Sequence, residues 1–225
     1  MALCNSGSMS LGGSTVGRSV NCELDRSGTA CISMGETEVR DLVEVSSGAI
    51  SMDDFYGASS FPEPVTLGDC DPAWGGFYMG TISASGASYY LFVAPNATGF
   101  TQAEWKDART CTGGASSLND GFANTYPALA NFTHPAGNFA ATRTISGFSD
   151  WYLPAINELQ VIYDNGATIF NGPLPSGERF CSGSYWSSTE VTATFTCYMR
   201  FTTGVRCENN KTRECCARAV RRVPI

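Results

Sequence analysis

The sequence predicts an α+β fold, and three observations predict it. Residues 194–201 alternate Phe195, Cys197, Met199 and Phe201 with Thr194, Thr196, Tyr198 and Arg200, the two-residue period of a half-buried strand. Ile156, Leu159 and Tyr163 repeat at helical spacing behind Pro154, which sits where a helix begins. A run rich in Pro, Gly, Ser and Asp at 61–73 reads as a linker. It divides the chain into a small N-terminal segment, 1–60, and a larger domain, 74–225.

In the first segment, Ser19–Leu24 and Thr29–Ser33 are expected as short strands around the turn Asp25-Arg26-Ser27-Gly28, so the segment is mostly β. Glu36–Val45 places Val39, Leu42 and Val43 at helical spacing. Ser51-Met52-Asp53-Asp54 has the form of a capping box, with Phe55-Tyr56-Gly57 behind it as an apolar anchor. So small and polar a segment is expected to rest its apolar face on something else, a further copy or a larger assembly. Ile50, Met52, Phe55 and Tyr56 are its candidate docking residues.

The second domain opens with two strand candidates, Phe77–Ile82 and Tyr89–Pro95, forming a hairpin through Ser83–Ser88. Thr101-Gln102-Ala103-Glu104 has the form of a capping box and predicts a helix with Trp105 and Ala108 on its inner face. A loop-rich stretch follows to Pro135, and Phe139–Thr144 reads as a short helical turn. Beyond the helix at Pro154, everything from Phe180 onward reads as strands.

The chain has 225 residues, 43% hydrophobic and only 16% charged, enough to bury a real core under a Ser-, Thr-, Asn- and Gly-rich surface. A net charge of −7 argues against general nucleic-acid binding. The basic residues gather at the end, where Arg200, Arg206, Lys211, Arg213, Arg218, Arg221 and Arg222 face only Glu208 and Glu214. That end is either a strand with solvated charges or a patch for an anionic glycan. No apolar run approaches the length of a membrane span, and the first residues have neither the basic nor the apolar region of a secretory signal. The ten cysteines are expected as reduced, buried thiols, with Cys197 able to pair with Cys207 or Cys215 across neighbouring strands if oxidised. With one histidine and no Cys-x-x-Cys, no zinc site is expected.

Two resemblances add to this reading. WGGFYMG, SLNDGFANTY, HPAGNFAATRTISGFSDWYLPAINELQVIY, SYWSSTE and CARAVRRV, spread over 74–225, resemble a family of bacterial and phage C-type-lectin-like domains. That family is related to the variable proteins of diversity-generating retroelements, and several members are adhesins. The resemblance implies short helices around twisted antiparallel sheets, holding up a ligand-facing surface. In the first segment, LGGSTVGRSV, TACISM and VRDLVEVSSGAISMDDFYG resemble tail-associated virion proteins of bacteriophages.

Together these imply a phage tail-fibre or tip adhesin, made in the host cytoplasm and located in the virion. Its first segment would dock on other tail proteins, and its domain would bind a host-surface glycan or protein. Homo-oligomers are expected, a trimer being the form that suits a fibre. The alternative is a structural virion component, in baseplate, collar or capsid decoration, whose domain contacts other virion proteins. The binding surface is expected on the strand pair near 194–210, with Tyr198, Arg200, Arg206 and Glu208 facing outward beside Glu190, Thr192, Thr194, Thr196, Asn209, Asn210 and Lys211. Aromatic area, guanidinium donors and amides make a recognition mixture.

No cofactor or metal is expected. The Glu-Pro-Asn, Gln-Pro-Asp and Trp-Asn-Asp triplets of calcium-dependent sugar-binding lectins do not occur. Catalysis is not expected either: a distant relative of the fold generates formylglycine with cysteines, but no histidine lies near Cys207, Cys215 or Cys216 in the sequence to activate them.

Overall fold

The computed structural model describes residues 19–20, 24, 32–33, 36–44, 47, 49–55, 64, 66–167 and 172–225. The chain divides into two compact units, with the change falling between Glu63 and Pro64. Among the described residues, no helix is long and apolar enough to cross a membrane.

In the first unit, α1 (Thr37–Leu42) turns Val39 and Leu42 inward. They pack with Val20 and Phe55 into a small core that Val43 and Ile50 edge. Phe55 ends a 3-10 turn (Met52–Phe55), which the Ser51/Asp54 pair closes: the Ser51 N–H and hydroxyl both donate to Asp54 Oδ2, at 2.7 and 3.0 Å. This corrects one expectation. Phe55 is fully buried in its own unit's core and Ile50 is half-buried against it, so Phe55 is not a free docking anchor. Tyr56 and most of the two expected strands lie outside the described residues.

The second unit begins earlier than the composition implied. Within the expected linker, the Gly68 N–H donates to the Tyr78 carbonyl at 2.8 Å, the Tyr78 N–H to the Asp69 carbonyl at 2.9 Å, and Cys70 bridges to Phe77. These residues therefore belong to the edge of the first sheet. That sheet has the order β1-β2-β8, from β1 (Phe77–Ala84), β2 (Ala87–Val93) and β8 (Val220–Pro224), all antiparallel. The β1–β2 turn is only Ser85-Gly86, both with positive φ (51° and 81°), the tight form that matches strand twist. The hairpin is thus longer, and its loop shorter, than the sequence implied.

Next come α2 (Asn96–Gly99), β3 (Phe100–Glu104), α3 (Gly121–Asn124) running into a π turn (Thr125–Leu129), α4 (Pro135–Ala141) and α5 (Ile156–Asp164). The last strands are β4 (Ser184–Glu190), β5 (Phe195–Arg200), β6 (Val205–Asn210) and β7 (Glu214–Arg218). They form a second sheet, ordered β3-β7-β4-β5-β6, with β4 and β7 parallel and the other neighbours antiparallel. The capping-box residues Thr101–Glu104 are strand, not helix. Their backbones pair with Ala217, Cys216, Cys215 and Glu214 of β7, and that ladder outweighs the local signature.

Adjacent residues of the second sheet enter different cores. Tyr185, Met199 and Cys216 join α5, β1 and β2 in one cluster. Trp186, Tyr198 and Ala217 join Trp105, Leu129, Ala136 and Trp151 in another. Strand alternation therefore buries both faces of β4, β5 and β7. Helix α5 sends Ile156, Leu159 and Ile162 into the first cluster, and removing one such side chain costs about 3 kcal/mol.

The basic C-terminal end is used inside the unit. Arg218 pairs with Glu178 at 3.0 Å, Arg221 with Asp150 at 2.6 Å and Arg222 with Asp120 at 2.9 Å. Arg221 also lies 3.7 Å over the Phe148 ring, and Arg222 lies 4.4 Å over that of Tyr89. Each guanidinium of CARAVRRV thus fastens a different distant segment to the strands.

Beside Arg222, the fully buried Glu158 accepts from the Ala155 N–H at 2.7 Å and from the Tyr152 hydroxyl at 3.0 Å. Burial pushes its carboxyl up to about 8, against those two hydrogen bonds. Burial, helped by Lys106, takes the His134 imidazole the other way, down to about 4. The ordinary values are 4.5 and 6.5. Between pH 4.5 and 8 the folded state holds a proton on Glu158 that the unfolded chain has released, so stability falls as pH rises. Between pH 4 and 6.5 the unfolded chain holds a proton on His134 that the folded state lacks, so stability rises with pH. The two oppose each other from 4.5 to 6.5, and Glu158 acts alone above that. These groups predict a loss of about 2 kcal/mol between pH 6.5 and 8. Glu158→Gln will abolish that loss: in thermal melts the wild type will drop by roughly 5 °C over the window and the variant will stay level.

Candidate functional site

Strand β6 is one of the two outer strands of the second sheet, and α5 packs on β5 and β4, the next two strands in. Helical spacing places Asn157, Gln160 and Asp164 on the side of α5 opposite Ile156, Leu159 and Ile162. Arg206 of β6 reaches this row: its Nε donates to Gln160 Oε1 at 2.8 Å and its Nη1 to Asn157 Oδ1 at 2.7 Å. Asn157 Nδ2 in turn donates to Asn119 Oδ1 at 2.5 Å, and Gln160 Nε2 to Asp164 Oδ1 at 2.8 Å. The result is a hydrogen-bonded polar band, Asn119–Asn157–Arg206–Gln160–Asp164, lying on a helix, a strand and the loop before α3. A depression of about 130 Å³ lies at one end, lined by Thr81, Ser83, Asn119 and Asn157 among others. A wider one of about 310 Å³ is lined by Cys197, Arg206, Cys207 and Glu208.

Of the expected binding residues, Thr192, Arg200, Arg206 and Glu208 are exposed, and Glu190, Thr194, Asn209 and Asn210 are half-buried. Three expectations are corrected: Thr196, Tyr198 and Lys211 are buried. Thr196 Oγ1 donates to the Thr189 carbonyl at 2.7 Å, and Tyr198 packs edge-on against Trp186. Both faces of β5 are covered, so its alternation separates two interiors rather than an interior from water. Phe195, expected inside, is 42% exposed.

Glu190 and Lys211 form an ion pair that holds the 106–114 loop. Glu190 accepts from the N–H groups of Thr112 and Gly113 at 2.8 and 3.3 Å, and Lys211 Nζ donates to the Thr110 carbonyl at 3.1 Å. Burial would raise the Glu190 carboxyl, but Lys211 and these N–H groups hold it below its ordinary value. Thr192 Oγ1 accepts from the Thr194 and Phe195 N–H groups and shapes the β4–β5 turn. The oxidation partners proposed for Cys197 are also corrected. Cys197 edges the first core cluster, whereas Cys207 and Cys215 edge the second, across the sheet.

Sequence reasoning missed Asn119, Asn157 and Gln160. The pattern that marked the inner face of α5 carries part of the signal for the last two, because Asn157 and Gln160 are polar and lie off the Ile156–Leu159–Tyr163 stripe; Glu158, polar and also off it, is buried all the same. Asn119 gave none. Among the described residues, no group of three or more His, Cys, Asp or Glu is gathered to hold a metal ion. The band offers guanidinium and amide donors beside the Glu208 carboxylate. Such an array suits a ligand rich in hydroxyls or carboxylates.

Two sheets around one main helix, with short helices and long connecting loops, define a C-type-lectin-like α+β domain. Residues 95–221 match the Lcl C-terminal domain, and the chain belongs to that family of adhesin-like modules. No curated protein matches the chain significantly. The match runs from just after β2 into β8 and contains the whole band.

Proposed function

We propose that this protein is a non-catalytic phage tail-fibre or tip adhesin whose second unit binds a glycan or protein on the host surface through the Arg206 band. The observation that carries the reading is a guanidinium fixed by two side-chain amides at an outer strand of an adhesin-type fold. A held Arg loses little conformational freedom when it meets a ligand, which favours affinity. The first segment's likeness to tail-associated proteins supports attachment to other tail proteins and a place in the virion. Several copies on one particle, a trimer being the form proposed, raise avidity without strong single sites.

The test uses the purified full chain in adsorption competition. The wild-type chain is expected to bind host envelope and to slow phage adsorption. Arg206→Glu is expected to weaken binding at least about tenfold while its melting temperature moves little, because Arg206 is exposed. Equal binding by the variant removes the band from the reading. A wild-type chain that neither binds nor competes favours the structural-component alternative.

A further inference from the structure

Cys181 and Cys216 sit with their sulfurs 3.5 Å apart, the one thiol–thiol contact among the described residues. Cys181 is exposed just before β4, and Cys216 is buried on β7. Tyr185, the β4 residue in register with Cys216, donates its hydroxyl to Cys181 Sγ at 3.2 Å. Its oxygen also accepts from the Cys181 N–H at 2.9 Å. A Cβ at Gly183 would stand 2.8 Å from Cys216 Sγ and 3.3 Å from Cys181 Sγ, so glycine leaves the space in which the two sulfurs meet. Cys215 points into the opposite cluster and does not compete.

We propose that Cys181 and Cys216 form a thiol site that reacts with low-molecular-weight disulfides and closes a disulfide between the stretch before β4 and strand β7 in an oxidising environment. The Cys181 thiolate attacks one sulfur of the reagent, forming a mixed disulfide and releasing one thiolate, which takes up the proton Cys181 lost. Cys216 then ionises, and its thiolate attacks Cys181 Sγ and expels the second reagent sulfur as a thiolate, which takes up the proton Cys216 lost. Two electrons pass from the protein to the reagent, and two reagent thiols leave.

The order of attack follows from the surroundings. Burial would raise the Cys181 thiol, but hydrogen bonds from Tyr185, Gly183 and Cys216 hold it below its ordinary value. Burial and the neighbouring Cys181 push Cys216 up to about 12. The first step removes the Cys181 charge and so frees Cys216 to ionise. The bond encloses β4, β5 and β6, and with them the Arg206 strand, in one covalent loop.

The test treats the full chain with oxidised glutathione. The expected product has lost two hydrogens by intact mass, gives a linked Cys181–Cys216 peptide, and melts roughly 10 °C higher than the reduced chain. Cys181→Ala, at an exposed position, is expected to melt like the reduced wild type and to show no rise with oxidant. Cys216→Ser is expected to stop at a glutathione adduct on Cys181. A wild-type chain whose Cys181 and Cys216 both remain open to alkylation after oxidation overturns the proposal, as does a stable wild-type adduct that never resolves.

Discussion

Arg218→Met will lower stability by about 4 kcal/mol, enough to drop the melting temperature by roughly 10 °C. The side chain is fully buried at the end of β7, and it ties that strand to two other stretches, 94–96 and Glu178. Its Nε donates to the Ala94 carbonyl at 2.7 Å, its Nη1 to Asn96 Oδ1 at 2.5 Å and its Nη2 to Glu178 Oε2 at 3.0 Å. Burial brings the guanidinium down to about 10, partly offset by Glu178, so it stays cationic at neutral pH. Methionine fills the space but leaves Glu178 without its cation and the Ala94 carbonyl without this donor, and stranded partners cost more than a surface pair is worth. Arg218→Lys will recover only part of the loss, because one ammonium cannot span what the planar fork spans. A methionine variant melting within a degree or two of the wild type would refute this account.

The Arg218 example also shows where the sequence stops being legible. The partners of Arg218, Arg221 and Arg222 stand 40, 71 and 102 positions away, and nothing local to CARAVRRV names them. The basic cluster was therefore visible, but its use inside the unit was not. Helix α5 was legible because Ile156, Leu159 and Tyr163 carry a helical period that any buried face must show. Thr101–Glu104 was not, because a capping-box signature is local and its pairing partners on β7 lie more than a hundred positions away. On β5 the alternation correctly separated two faces, but a period of two says which residues share a face, not whether that face meets water. Tyr198 and Thr196 were misplaced for that reason, whereas Arg206 and Glu208, on an outer strand, do reach solvent.

Lys211 turns the same distinction into an experiment, because it was expected in the binding surface and lies in the interior. Lys211→Met is expected to cost about 3 kcal/mol, since it leaves the Glu190 carboxylate, only 12% exposed, without the cation that holds it ionised. The damage should localise. Lys211 Nζ bonds the Thr110 carbonyl and lies 5.0 Å from the centre of the Trp105 ring, so amide exchange should quicken around 110–114 while α5 stays protected. Adding Glu190→Gln removes the stranded charge and should restore part of the loss, giving a double-mutant coupling of about 1–2 kcal/mol. Arg206→Glu should show the opposite profile, with melting nearly unchanged and binding reduced. If Lys211→Met instead melts like the wild type and loses host binding, the ion pair is part of the recognition surface and the interior role assigned to Lys211 is wrong.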